Sequence, residues 1–238
     1  MKITVIYGFM HKGSTYHCVQ LMLENLSKQT NTEVTEFFLP RDMPNYCVGC
    51  MTCFGKGEDK CPHGASVQVI AKAMDEADVI VLASPTYVYN MSGQMKALMD
   101  HFGYIWMPHR PMPSMFNKVG VVFSTTAGGG ASSTCKAMKK NLTMWGVRRV
   151  FSYGTAVRAA GWDGVKPEKQ EAIARQMGTL SHRILKTQNR IRTLLPTPVS
   201  FFWFNMIKAL VKNDWWNAPD RIHWNAQGWA TGKSPWRT

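Results

Sequence analysis

Four cysteines fall within fifteen residues, Cys47, Cys50, Cys53 and Cys61, in the run CVGCMTCFGKGEDKCP. Their spacing is C-x2-C-x2-C-x7-C, and only Cys18 and Cys135 lie elsewhere. Two-residue gaps let a tight loop aim three sulfurs inward, and the fourth returns on a longer arm before Pro62. Such thiolate sets hold iron–sulfur clusters. Zinc also takes four thiolates, more often as two separated pairs, and a metal-free redox or structural thiol loop is the third reading.

Three further loops carry residues suited to binding. GFMHKGSTY, residues 8–16, places Gly13, Ser14 and Thr15 at the start of an expected helix, with His11 and Lys12 adding positive charge. Backbone N–H groups and the dipole at a helix start favour a phosphate, although simple N-capping by Ser14 would use the same residues. The glycine spacing is neither a Walker A loop nor GxGxxG. SPTYVYNMSGQMKALMDH, residues 84–101, has Pro85 ending a strand, Thr86, Val88 and Asn90 along the turn, and Ser92 capping a helix. Tyr87 and Tyr89 offer flat surface suited to a planar heterocycle, or merely pack. STTAGGGASST, residues 124–134, runs Thr126, Ala127, Gly128 and Gly129 into a third glycine, leaving backbone open to close approach or forming a flexible connector.

The elements that must position these loops alternate. Strands are expected at 2–8, 33–39, 78–84, 118–125 and 147–157. Helices are expected at 14–29, 65–77, 92–104, 131–145 and 166–191, with an irregular cysteine loop over 40–63. The run DVIVLAS reads as a strand covered on both faces. The pattern implies an α/β fold with a doubly wound five-stranded parallel sheet, in which ligands sit beyond the carboxyl ends of the strands. All four loops follow strands and share that rim. Residues 1–192 form the expected binding domain. Residues 193–238 form a helical, tryptophan-rich extension that packs on its own domain or on another subunit, and it holds Trp203, Trp215, Trp216, Trp224, Trp229 and Trp236.

The chain has 238 residues and a net charge of +13. Residues 1–135 are balanced, so the excess falls on residues 136–238, which hold 18 Lys+Arg against 5 Asp+Glu. Such a field attracts anionic partners, phosphorylated cofactors and acidic proteins among them. No nucleic-acid motif accompanies it, and the apolar tail is too interrupted for a confident span, so nucleic acid and membrane are not expected partners. The opening MKITVIYG reads as a strand and not a secretory leader, and a thiol-rich loop suits a reducing cytoplasm. G-x-S-x-G, H-E-x-x-H and a Ser-His-Asp constellation are all missing, which argues against hydrolysis. His101, His109 and His182 read as surface or packing residues.

In these motifs the chain resembles the flavodoxin-like NAD(P)H-dependent FMN reductases, in particular their iron–sulfur flavoprotein branch. The resemblance covers residues 1 to about 160. Gly13, Ser14 and Thr15 match the family's phosphate loop, with Phe9 in place of its usual serine and His11 where arginine is common. SPTYVYNMSGQMKALMD matches the segment S-P-x-Y-x-x-x-x-S-x-x-x-K-x-x-x-D that borders the isoalloxazine ring. Residues 124–130 correspond to the third flavin loop, and the cysteine run to a compact 4Fe–4S motif. The resemblance implies FMN as cofactor and hydride transfer from NAD(P)H to it. Electrons then pass to a cluster or to an acceptor, a small molecule or a redox protein, with the flavin and no side chain carrying the chemistry. It also implies a homodimer or tetramer. The competing readings are a flavin or quinone reductase without a cluster, and a non-enzymatic basic scaffold that binds membrane or nucleic acid through its tail.

Overall fold

A computed structural model describes residues 1–211 and 217–236. Five parallel strands, β1 (Lys2–Tyr7), β2 (Glu33–Phe38), β3 (Val79–Ala83), β4 (Val119–Thr126) and β5 (Arg149–Ala156), form one sheet in the order β2-β1-β3-β4-β5. All neighbours are parallel and in continuous register, as in Val5 opposite Val81 and Val81 opposite Val121. The expected strand set and topology are all present.

Alternation along the strands builds two cores. Val79, Val81 and Ala83 of β3 face one side with Val5, Val121 and Phe123, beneath helices α1 (Ser14–Ser27) and α6 (Pro167–Gln188). Ile80 and Leu82 face the other side, beneath α3 (Gly64–Glu76), α4 (Gly93–His101) and α5 (Ala131–Met144). Every β3 side chain is buried, which explains its unbroken apolar run. Each of its Val, Ile and Leu side chains contributes about 1.5–3 kcal/mol on full burial. Ile173, Met177, Leu180 and Ile184 form the buried stripe of α6, and Ser181 locks it by donating to the Met22 carbonyl at 2.9 Å.

The cysteine loop is less irregular than its prolines and glycines suggest. It contains a single helical turn, α2 (Thr52–Gly55), and a 3-10 turn at Glu58–Lys60. Left-handed backbone at Gly49, Met51 and Gly57 folds the loop back on itself.

Beyond residue 193 the chain forms α7 (Pro198–Val211) and α8 (Ala218–Ala226). Phe204, Ile207, Trp224, Trp229 and Trp236 bury themselves with Phe116 and Met107, and Phe204 stacks on Trp224 at 4.9 Å. Trp215 and Trp216 lie outside the described residues. Arg148 is buried, and among the described residues it has no carboxylate partner. Its guanidinium donates instead to the carbonyls of Phe116, Ile191, Leu194 and Trp236, stitching the tail to the start of β5. Among the described residues no helix is long and apolar enough to cross a membrane.

Candidate functional site

The carboxyl ends of β1, β3 and β4 meet at one rim, where their loops are bonded together. The Gly8 amide donates to the Ala83 carbonyl (2.8 Å), and the Thr86 amide to Thr125 (2.9 Å). The Thr15 and Thr125 hydroxyls lie 2.6 Å apart, and that of Thr86 reaches Ser124 at 2.8 Å. Gly8 is tightly constrained: a Cβ there would stand 2.5 Å from Ser92 Oγ.

Helix α1 begins at Gly13 without a side-chain cap. Capping by Ser14 is therefore not how this end is completed, and the first-turn amides of Ser14, Thr15 and Tyr16 point away from the helix without intrahelical acceptors. Lys12 and His11 are exposed beside them, with Lys12 Nζ 5.2 Å above the Tyr16 ring. Thr15 is buried and its hydroxyl is held by Thr125, leaving its backbone as the group that faces the loop.

The second loop is a tight turn. Tyr87 and Asn90 exchange backbone hydrogen bonds of 2.8 and 3.0 Å, with Val88 (φ 50°) and Tyr89 (φ 61°) left-handed between them. Two left-handed central residues define a type I′ turn, which normally takes Asn-Gly. A β-branched valine in that region costs of order 1–2 kcal/mol. Val88 is nonetheless 96% exposed and Tyr89 74%. The turn thus spends strain to hold apolar groups in the open above the rim. Pro85 and Thr86 lead into it, and Ser92 ends it by accepting from the Met95 amide at 3.2 Å.

The third loop lies against the second. Thr126 Oγ1 donates to the Gly129 carbonyl and accepts from the Gly128 amide, which folds Thr126, Ala127, Gly128 and Gly129 into a small ring. Gly130 is left-handed (φ 94°), and a Cβ there would come within 2.9 Å of Thr86 Cγ2. Ser133 donates to the Tyr89 carbonyl at 3.1 Å. Tyr89, Thr125 and Ser133 join the site through these tertiary bonds. Uncapped amides with adjacent cations, beside an exposed aromatic and apolar turn and a glycine cradle, fit a ligand with a phosphate at one end and a flat ring at the other.

The cysteine loop follows β2 on the same side of the sheet, starting where the Leu39 amide donates to the Tyr7 carbonyl. All six cysteines are free thiols. Burial pushes Cys18 up to about 12 and Cys135 up to about 11, so these two are inert packing residues. Burial pushes the Cys53 thiol up as well, and the neighbouring Cys61 and Cys47 push it further. Cys50 differs: the Thr52 hydroxyl and amide hold it below the ordinary thiol range. Cys61 and Cys47 are thus near enough to Cys53 to disfavour its thiolate. A bound cation relieves such repulsion, and the donor set fits a soft iron–sulfur centre. A cluster of several metal atoms spreads its sulfurs wider than a single ion does.

Side chains that spacing did not reveal support this loop. Arg110, on the strand-less segment after α4, donates to the Cys53 carbonyl and to Glu58 (3.1 Å), and pairs with Asp220 of α8. His109 contacts the same Asp220 at 2.7 Å. His101 is a packing residue, as expected, and it also meets the cysteine loop. It is buried, its Nε2 lies 3.0 Å from the Asn45 carbonyl, burial pushes it below the ordinary histidine range, and its ring faces His63.

The family model described as NADPH-dependent FMN reductase matches residues 1–160. An iron-sulfur flavoprotein of Archaeoglobus fulgidus is 30% identical over 215 residues, 90% of this chain and 92% of that protein. An NAD(P)H dehydrogenase (quinone) of Aromatoleum aromaticum is 29% identical over 170 residues, covering 69% and 77%. Among solved structures, an FMN-dependent NADH-azoreductase from Bacillus anthracis in complex with FMN superposes with a TM-score of 0.60 at 11% identity, over 77% of this chain and 99% of that one. This last likeness establishes the shared sheet topology. With the sequence match spanning all three rim loops, the chain belongs to the NADPH-dependent FMN reductase family, and it is a flavin-dependent oxidoreductase.

Proposed function

We propose that this oxidoreductase is an electron-transfer iron–sulfur flavoprotein, which takes reducing equivalents from NAD(P)H and passes them on through a cluster in the cysteine loop. FMN, when bound, supplies the hydride-accepting and electron-releasing ring. The amides of Gly13, Ser14 and Thr15, with His11 and Lys12, hold the phosphate. Pro85, Thr86, Tyr87, Val88 and Asn90 border the ring, and Thr126, Ala127, Gly128 and Gly129 close its other edge. Cys47, Cys50, Cys53 and Cys61 ligate the cluster. The observation that carries this reading is the strained Tyr87–Asn90 turn, which holds Val88 and Tyr89 exposed on a rim bonded through Thr86 and Thr125 to the uncapped start of α1. The 30% identity to an iron-sulfur flavoprotein across 90% of the chain supports the cluster.

Residues 1–192 act as the binding domain. Residues 193–238 act as an extension that packs on it, a division supported by the shared core around Phe204 and Phe116. The basic second half draws in NAD(P)H and an acidic electron acceptor. The free thiols suit a reducing cytoplasm, and the active form is a homodimer or tetramer.

Purification without oxygen, followed by visible spectroscopy and iron and sulfide analysis, tests the reading. FMN and cluster absorption are expected together. Cys50→Ser should remove the broad cluster absorption and leave flavin bound. Flavin without iron or sulfide would leave a flavin or quinone reductase, and a colourless protein that takes up no FMN would overturn both.

A further inference from the structure

At the end of the cysteine loop, three side chains from two distant parts of the chain converge. Cys61 and His63 flank Pro62 just before α3, and His101 is the last residue of α4. One ligand atom from each lies within 4.8 Å of the other two. The two imidazoles meet edge to face, with centroids 5.2 Å apart.

His101 is 4% exposed, and its Nε2 stands 3.0 Å from the Asn45 carbonyl. A carbonyl only accepts, so Nε2 carries the proton and Nδ1 keeps the lone pair that a cation needs. Asn45 lies two residues before Cys47. The loop that bears the thiols therefore also sets the tautomer of a histidine forty residues beyond Cys61. A ring nitrogen tied to a backbone carbonyl is the arrangement that orients metal-binding histidines.

We propose that Cys61, His63 and His101 form a binding site for a single divalent cation of the zinc type, separate from the four-thiolate set and sharing Cys61 with it. One thiolate and two imidazoles are donors for zinc or cobalt, whereas magnesium and calcium require oxygen. Metal–sulfur and metal–nitrogen bonds of about 2.3 and 2.1 Å at tetrahedral angles place such ligands about 3.6 Å apart. Closing the site takes a shift of about 1 Å on that geometry. Cys61 and His63 are half-buried on a loop and can supply it, while His101 is fixed by its helix and by Asn45. On binding, the Cys61 thiol loses its proton to solvent as the sulfur–metal bond forms, and no electron is transferred. Water completes the fourth position.

The site stands on this geometry alone. Its consequence for the cluster rests on the function proposed above: Cys61 cannot serve both centres, so cation loading and cluster loading exclude one another.

Cobalt(II) is the probe, added to the full chain with FMN present. The double variant Cys47→Ser/Cys50→Ser cannot hold the cluster but keeps all three cation ligands. It should bind one cobalt ion, with a thiolate-to-cobalt charge-transfer band that zinc displaces. His63→Ala on that background should weaken binding by more than about 100-fold, beyond what loss of an orienting partner alone costs. His101→Gln should do the same, with circular dichroism as the check on folding. Because His63 is half-buried, its variant remains decisive if His101→Gln unfolds. Unchanged cobalt affinity in His63→Ala, or no stoichiometric binding in the double variant, would overturn the site. Wild-type protein preloaded with zinc should take up iron and sulfide only after chelation, and equal uptake would overturn the exclusion. FMN content read on the same samples tests the flavin reading separately.

Discussion

Arg110 and Asp220 form a buried ion pair across 110 residues of chain, and the same guanidinium donates to the Cys53 carbonyl. The C-terminal tail thereby holds the cysteine loop. Asn217 caps α8 and also donates to Asp220 at 2.6 Å, so the carboxylate that meets Arg110 is held on its other oxygen, and Trp224 donates to the His109 carbonyl at 2.8 Å.

Removing one partner of such a pair leaves a buried charge short of its counterpart. Asp220→Asn should destabilise the protein by about 3 kcal/mol or more, measured by urea unfolding. It should also accelerate alkylation of Cys53 in cluster-free protein. An alkylation rate equal to that of the wild type would mean that the tail does not hold the loop.

The turn at Val88 predicts opposite effects on stability and binding. Asparagine tolerates left-handed backbone, and Val88 buries almost nothing. Val88→Asn should therefore stabilise the FMN-free chain by about 1 kcal/mol while weakening FMN, by losing an apolar contact to the ring. Thermal melts and flavin fluorescence titrations read the two effects, and equal FMN affinity would remove Val88 from the site.

Charge at the start of α1 should act on the phosphate only. Lys12→Glu is exposed, so stability should change by less than about 0.5 kcal/mol. FMN affinity should fall about tenfold at low salt, and less at high salt, with riboflavin binding unchanged. An equal loss for both ligands would place the phosphate elsewhere.

At Gly130 both backbone and space are restrictive, since φ is 94° and Thr86 and Tyr89 crowd the Cβ position. Gly130→Ala should cost about 1–3 kcal/mol and displace the Tyr87–Asn90 turn. Isothermal titration should show FMN binding at least tenfold weaker, and a wild-type isotherm would contradict this packing.

Tail docking should weaken in acid. Burial holds His223 below the ordinary histidine range, its bond to the Pro111 carbonyl opposes that shift, and nearby Arg110 adds to it, with Glu58 and Asp220 raising it slightly. Below about pH 6.5 the unfolded chain takes up a proton that the folded chain resists, so stability falls as pH falls. Between pH 7 and 5 wild type should lose more stability than His223→Gln, which has no such group. Parallel curves from urea denaturation would reject His223 as the source.

Local pattern determined the fold and the chemical type of the site. The β3 run is continuously apolar because both of its faces are covered, the α6 stripe repeats at helical spacing, and the glycines and helix starts sit where strands end. Those signals act over a few residues and survive in one dimension. Tertiary structure alone decided what meets across the chain. It set Val88 and Tyr89 left-handed without the Asn-Gly that marks such a turn, joined Thr15 to Thr125, and brought Asp220 to Arg110 beside Cys53. It also brought His101 to Cys61 and His63. His63 lies two residues after Cys61 in sequence, but His101 carries no local signal. Its place depends on how α4 packs under the cysteine loop, a consequence of side-chain burial summed over the whole core.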